Sequence, residues 1–247
     1  MMNDIKIYLN LYMVAGVYDC IHLRVMKMRK NIVIPKDFTI TAHTGCMKTE
    51  ENSLESFKSG IENGANIVEF DLYFTKNGEP VLSHNEPVGG EVSLDEAFEY
   101  LSEFKNIGIN VDVKTCDALE KVYPTAQKYG VEDRIFYTGV KDELVEPVRQ
   151  NSPEVKYFLN MSVKKSNDKE YLMSLVEKVK NAGAIGINFK YTGATKELVK
   201  VFHENGLLVS IWTVNSKWRM KKILSFAPDN ITTRHPDKLS EIVKKFQ

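Results

Sequence analysis

From Thr39 onward the chain alternates short β-rich runs with amphipathic helical stretches, and no other feature limits its fold as much. Strands separated by helices pair in parallel, each helix crossing back over the sheet. The runs predict strands at Thr39–His43, Asn66–Leu72, Gly108–Val113, Arg134–Thr138, Val155–Leu159, Ala184–Phe189, Leu207–Thr213 and Asn230–Thr233. A further run, Pro80–His84, follows the turn Lys76-Asn77-Gly78 and is expected at the rim. Between them Leu94, Ala97, Phe98 and Leu101 fall at i, i+3, i+4 and i+7, as do Leu239, Ile242, Val243 and Phe246. Leu172, Leu175, Val176 and Val179 repeat the stripe, and each stripe needs a sheet to bury it. Strict alternation of eight strands with helices predicts a closed α/β barrel, the (β/α)8 or TIM barrel. An open doubly wound sheet is the alternative, weakened because no Gly-rich dinucleotide or phosphate loop follows the first strand.

At 247 residues the chain can bury a barrel-sized core without staples. Its 33 basic and 33 acidic residues cancel, so no global field draws it to nucleic acid or an anionic membrane. The partner expected is a small anionic molecule captured locally, and the sequence leaves the oligomeric state open. Cys20, Cys46 and Cys116 are odd in number and lack a C-x-x-C pattern, which argues against disulfides and zinc and suits a reducing, cytoplasmic setting. Cys46 lies near His43, where a packing role is favoured over a reactive thiol. The apolar stretch Ile5 to Met26 lacks the charge and cleavage pattern of a signal peptide, and Asn10, Asp19 and His22 interrupt it as a span. It reads as a helical extension, residues 1–36, packed on a barrel domain of residues 37–247, with membrane association the alternative and no stable insertion expected.

Active sites of such barrels lie at the C-terminal ends of the strands. Glu69 and Asp71 are two apart on one strand and so share a face. Asp112 and Lys114 follow the same spacing on the next. Three converging carboxylates with one lysine leave uncompensated negative charge and suit a hard divalent cation, Mg²⁺ or Ca²⁺. A salt-bridge network around Lys114 is the competing reading. His43 and His84 also fall at strand ends, and imidazoles, titrating near neutrality, can divide the roles of general base and acid. His22, His203 and His235 read as structural.

These residues stand in a wider pattern. Thr41-Ala42-His43-Thr44-Gly45 with Glu51-Asn52-Ser53 resembles the H-R-G…E-N-T opening of the glycerophosphodiester phosphodiesterase family. Val68-Glu69-Phe70-Asp71, the run from Thr75 to Asn85, Asp112-Val113-Lys114, Trp212-Thr213-Val214-Asn215 and Ile231 to Pro236 are similar to its later blocks, in order. The resemblance implies a metal-dependent phosphodiesterase releasing glycerol 3-phosphate and an alcohol. It makes His43 and His84 the acid/base pair, Glu69, Asp71 and Asp112 the cation ligands, Lys114 a phosphate contact and Trp212 a pocket wall. Glu51, Asn52 and Asn85 would stand behind these, with Asn52 also a candidate helix cap.

The departures are specific. Thr44 stands where the family motif has arginine, Asn85 where it has aspartate, and Asp112 where it has glutamate, the last shared with sphingomyelinase D-like relatives. Only Glu86 to Glu91 separates the second histidine from the next helix, which implies an open pocket. A lyase acting on lysolipids through a cyclic phosphate, and a degenerate barrel that only binds a phosphorylated ligand, are the alternatives these departures leave. Without the motif arginine, Lys114 is the cation expected at phosphate, with Lys190 or Arg234 as substitutes.

Overall fold

The computed structural model describes residues 32–246. The expected extension, 1–36, falls almost wholly outside that range, and Ile32 at its end is buried in the core. The described chain alternates as β1 (Thr39–Ala42), α1 (Leu54–Glu62), β2 (Ile67–Phe74), β3 (Pro80–Leu82), α2 (Leu94–Ser102), β4 (Gly108–Val113), α3 (Val122–Tyr129), β5 (Ile135–Thr138), α4 (Asp142–Asn151), β6 (Phe158–Asn160), α5 (Lys169–Asn181), β7 (Gly186–Lys190), α6 (Lys196–Glu204), β8 (Leu208–Trp212), α7 (Lys217–Leu224), β9 (Asn230–Thr233) and α8 (Pro236–Val243). Eight strands are hydrogen-bonded in the order β5-β4-β2-β1-β9-β8-β7-β6, and every pairing along that path is parallel. The ends of the path meet: Tyr137 bridges to Tyr157 in parallel, its N–H donating to the Lys156 carbonyl at 2.9 Å. The sheet is therefore a (β/α)8 barrel and not an open, doubly wound one.

The expected strands all form, their ends shifted by up to three residues, and two of the shifts have a clear cause. β3 pairs antiparallel with the end of β2 and stops at Leu82, so Ser83 and His84 leave it at the rim. β6 begins at Phe158, three residues later than expected, because the preceding segment is held to β5 by the single Tyr137–Tyr157 bridge.

Alternate residues of each strand face the helices and make one continuous core. Phe70 on β2 lies between Phe57 of α1 and Phe98 of α2, with ring centroids 5.7 and 6.3 Å away. The stripes of α2, α5 and α8 read from the sequence are buried in that core, save Phe246, which lies past the end of α8 and packs partly buried against it. Helices begin at the ends of strands with side-chain caps: Ser53 for α1, Ser93 with Glu96 as a full capping box for α2, Asp168 for α5, Thr195 for α6 and Ser216 for α7. Each cap satisfies one N–H that the first helical turn leaves free. The loops entering the helices are thereby fixed at the barrel end where the strands finish.

Candidate active site

At that end lies a cavity of about 540 Å³ lined by His43, Glu69, Asp71, His84, Asp112 and Lys114, among others. Its floor is set by register. Asp71 pairs with Asp112 across β2 and β4, so the two carboxylates stand side by side, with Glu69 one layer below on the same face. One oxygen from each of Glu69, Asp71 and Asp112 lies within 4.8 Å of the others. Glu69 and Asp71 are buried. Lys114 Nζ reaches Asp71 Oδ1 at 2.7 Å and also pairs with Asp112 Oδ2. The lysine network considered from the sequence is thus present, yet one cation faces three carboxylates.

Burial, with Asp71 and Asp112 adding repulsion, pushes the Glu69 carboxyl up to about 7, although His43 and the Thr44 N–H, which donates to Glu69 Oε2 at 2.7 Å, act the other way. Burial also works against the charge on Asp71, but Lys114, the Asn52 amide and His84 outweigh it and hold that carboxyl below its usual range. Lys114 is raised: burial disfavours its charge, and the two aspartates overcome that. The set fits a divalent cation, since a hard cation takes carboxylate oxygens and would offset the charge that Glu69 resists carrying alone.

Both histidines line the cavity, and each holds its Nδ1 in a contact with the protein. His43 Nδ1 lies 2.8 Å from the Thr44 carbonyl oxygen, which only an N–H can satisfy, so Nε2 is left to exchange protons with a ligand. His84 Nδ1 lies 3.3 Å from Asp71 Oδ2, which likewise leaves Nε2 free. His43 is mostly buried, while the His84 side chain is 60% exposed at the rim.

Asn52 does not cap α1; Ser53 does, because Asn52 is committed elsewhere. It sits at φ 57°, a left-handed conformation that asparagine tolerates better than most residues. There its Oδ1 accepts from the Asp71 N–H at 2.9 Å and its Nδ2 donates to Asp71 Oδ2 at 3.1 Å. Thr44 is buried, and its hydroxyl accepts from the Asn52 N–H, so the residue replacing arginine braces this clamp. Glu51 and Asn85 are not brought to the cavity. Glu51 is exposed and paired with Arg234, and Asn85 is exposed past the end of β3, its carbonyl accepting from Ser83 Oγ. Arg234 and Lys190 do not line the cavity either.

Trp212 does line it, and so do residues that the sequence reading passed over: Lys141, Thr138, Asn110, Asn160 and Asn188. The two-residue spacing that marks Asp112 also marks Asn110. Lys141 lies in the β5–α4 loop, which Gly139 (φ 78°) holds tightly against β4. A Cβ there would stand 2.8 Å from the Val113 nitrogen and 3.1 Å from Asp112 Oδ1. No carboxylate of the described residues lies within ion-pair distance of Lys141. Cys46 is buried, its thiol donating to the Ser56 carbonyl and pushed up by burial, as a packing residue would be. His203 pairs with Asp229 and does not line the cavity, while His22 and Cys20 lie outside the described residues.

Over residues 36–106 and 93–238 the sequence matches the model of the glycerophosphoryl diester phosphodiesterase family. The chain belongs to that family. Its class is that of the phosphoric diester hydrolases. A glycerophosphodiester phosphodiesterase of Caldanaerobacter subterraneus subsp. tengcongensis is 25% identical over 248 residues, covering 83% of this chain and 98% of that protein. The crystal structure of a glycerophosphodiester phosphodiesterase from Agrobacterium tumefaciens superposes with a TM-score of 0.68 at 18% identity, covering 83% of this chain and 99% of its own. An Oleispira antarctica phosphodiesterase, solved with the product sn-glycerol 3-phosphate, gives 0.67 at 17% identity, covering 85% and 97%. At those identities the structures speak for a shared fold. Among the described residues no helix is long and apolar enough to cross a membrane.

Proposed function

We propose that the protein hydrolyses glycerophosphodiesters to glycerol 3-phosphate and an alcohol, using one Mg²⁺ or Ca²⁺ held by Glu69, Asp71 and Asp112. The observation that carries this reading is one cavity containing a three-carboxylate cluster flanked by two histidines with free Nε2 atoms. The bound cation would offset charge on the phosphate oxygens. His43 and His84 then divide the proton work, one taking a proton from the attacking water and the other giving one to the departing alkoxide. Lys114 spends two of its three N–H donors on Asp71 and Asp112, which leaves the third for a phosphate oxygen. Lys141, which has no ion-pair partner among the described residues and lines the same cavity, is placed to supply the second cation that the motif arginine gives elsewhere. Asn52 keeps Asp71 oriented, and Trp212 forms part of the cavity wall. The bound product in the Oleispira antarctica structure supports the substrate class. Free thiols at Cys46 and Cys116, both pushed up by burial, suit a cytoplasmic setting.

The histidine roles are tested by His43→Ala and His84→Ala. Each is expected to lower turnover of glycerophosphocholine about 10²–10⁴-fold, the usual worth of a general acid or base. The melting temperature should hardly move, since neither side chain belongs to the core. A loss below tenfold for either variant removes that histidine from the mechanism.

A further inference from the structure

The interior of a (β/α)8 barrel is normally filled with layers of aliphatic side chains, but the floor of this cavity is amide. Asn110, Asn160 and Asn188 line it on β4, β6 and β7, with Thr138 and Thr232. Two hydrogen bonds tie the floor together: Thr138 Oγ1 donates to Asn110 Oδ1 at 2.8 Å, and Asn188 Nδ2 donates to Asn160 Oδ1 at 2.9 Å. Among the described residues two buried atoms on the cavity wall have no partner, Asn188 Oδ1 and Trp212 Nε1. The Asn188 residue is only 5% exposed, so bulk water does not serve its oxygen. Buried polar atoms are otherwise almost always hydrogen-bonded, and orphans at a site point to a ligand.

The two orphans are of opposite kind and belong to adjoining strands. In the β7–β8 register Asn188 pairs with Ser210, which places Trp212 two residues nearer the mouth on the adjoining strand and on the same face. One atom accepts and the other donates. We propose that Asn188 and Trp212 form a hydroxyl-recognition site: a ligand O–H donates to Asn188 Oδ1 and its oxygen accepts from the Trp212 indole N–H. A free hydroxyl satisfies both atoms, whereas an ether or ester oxygen leaves Asn188 unserved and a cationic group leaves Trp212 unserved. A site built to bond a hydroxyl discriminates strongly against analogues that lack it. This deepens the phosphodiesterase reading and rests on it. It makes the glyceryl part, entering by an unesterified hydroxyl, the portion bound at the floor.

The test is calorimetric binding of two probes, sn-glycerol 3-phosphate and inorganic phosphate, to the Mg²⁺- or Ca²⁺-loaded protein and to Trp212→Phe and Asn188→Ala. Trp212→Phe keeps an aromatic ring and removes only the N–H side of the indole, so its fold is secure even if Asn188→Ala disturbs the floor. Each variant should bind sn-glycerol 3-phosphate about ten- to hundredfold more weakly and inorganic phosphate as wild type does. Equal weakening of both probes shows a merely structural role and overturns the proposal, as does unchanged affinity for sn-glycerol 3-phosphate. Wild-type protein that neither binds these probes nor turns over glycerophosphocholine sinks the phosphodiesterase reading itself, a separate result.

Discussion

On β2, Val68, Phe70 and Leu72 turn outward into the layer of helices, while Glu69 and Asp71, alternating with them, turn into the barrel. The outward face is apolar and fully packed, with Phe70 set between two other phenylalanine rings. The inward face carries buried carboxylates, a lysine and amides around an open cavity. Neighbouring residues only one peptide apart thus serve opposite ends. The outer face supplies the burial that makes the barrel fold, and it thereby supports an inner face that destabilises the fold wherever like charges crowd. The polar end is positioned by the apolar layer and contributes little to holding it together.

The largest effects that test this contrast come from adjacent positions. Phe70→Ala removes a fully buried ring and should cost about 3–5 kcal/mol of stability, with kcat per folded molecule nearly unchanged. Glu69→Gln should do the reverse, weakening cation binding by about 10–100-fold or more while leaving the fold as stable or more so above neutral pH. Denaturant melts and cation titrations of the two variants read both arms. A Glu69→Gln protein as destabilised as Phe70→Ala would show that the inner face holds the barrel together after all.

A smaller effect sharpens the comparison through pH. The Glu69 carboxyl is raised in the fold, so the folded chain keeps its proton where the unfolded chain has lost it. Its contribution is therefore fully present below the ordinary glutamate range, near 4.5, and is lost as pH climbs toward about 7. At about 1.4 kcal/mol per pH unit that amounts to roughly 3 kcal/mol across the window. Chelator-treated protein should melt lower at pH 8 than at pH 5.5, Glu69→Gln should flatten that slope, and added Mg²⁺ or Ca²⁺ should raise the melting temperature most at pH 8. A metal-free protein equally stable across the window would mean that Glu69 titrates as a solvated acid.

Much of this contrast was legible in the sequence, because a strand repeats every two residues. The period alone places Glu69 and Asp71 on one face, and Asp112 and Lys114 on one face of the next strand. It carried the same information for Asn110 and Asn188, but an isolated amide in an apolar run does not announce itself as a carboxylate pair does. Lys141 was out of reach, since it lies in a loop with no period, and its position depends on Gly139 pressing that loop against Val113. Asn52 looked like a helix cap because asparagine often is one, and only tertiary contact with Asp71 decided otherwise. The order of strands around the barrel also required structure, since alternation is shared by open and closed sheets.

The central claim is metal-dependent hydrolysis in this cavity, and the most direct measurement is ³¹P NMR of glycerophosphocholine incubated with chelator-treated protein before and after addition of Mg²⁺ or Ca²⁺. The account predicts no conversion before addition and, after it, a growing resonance of glycerol 3-phosphate alone, absent with Glu69→Gln. Conversion without added cation, a resonance of a cyclic phosphate, or no conversion under either cation would contradict it.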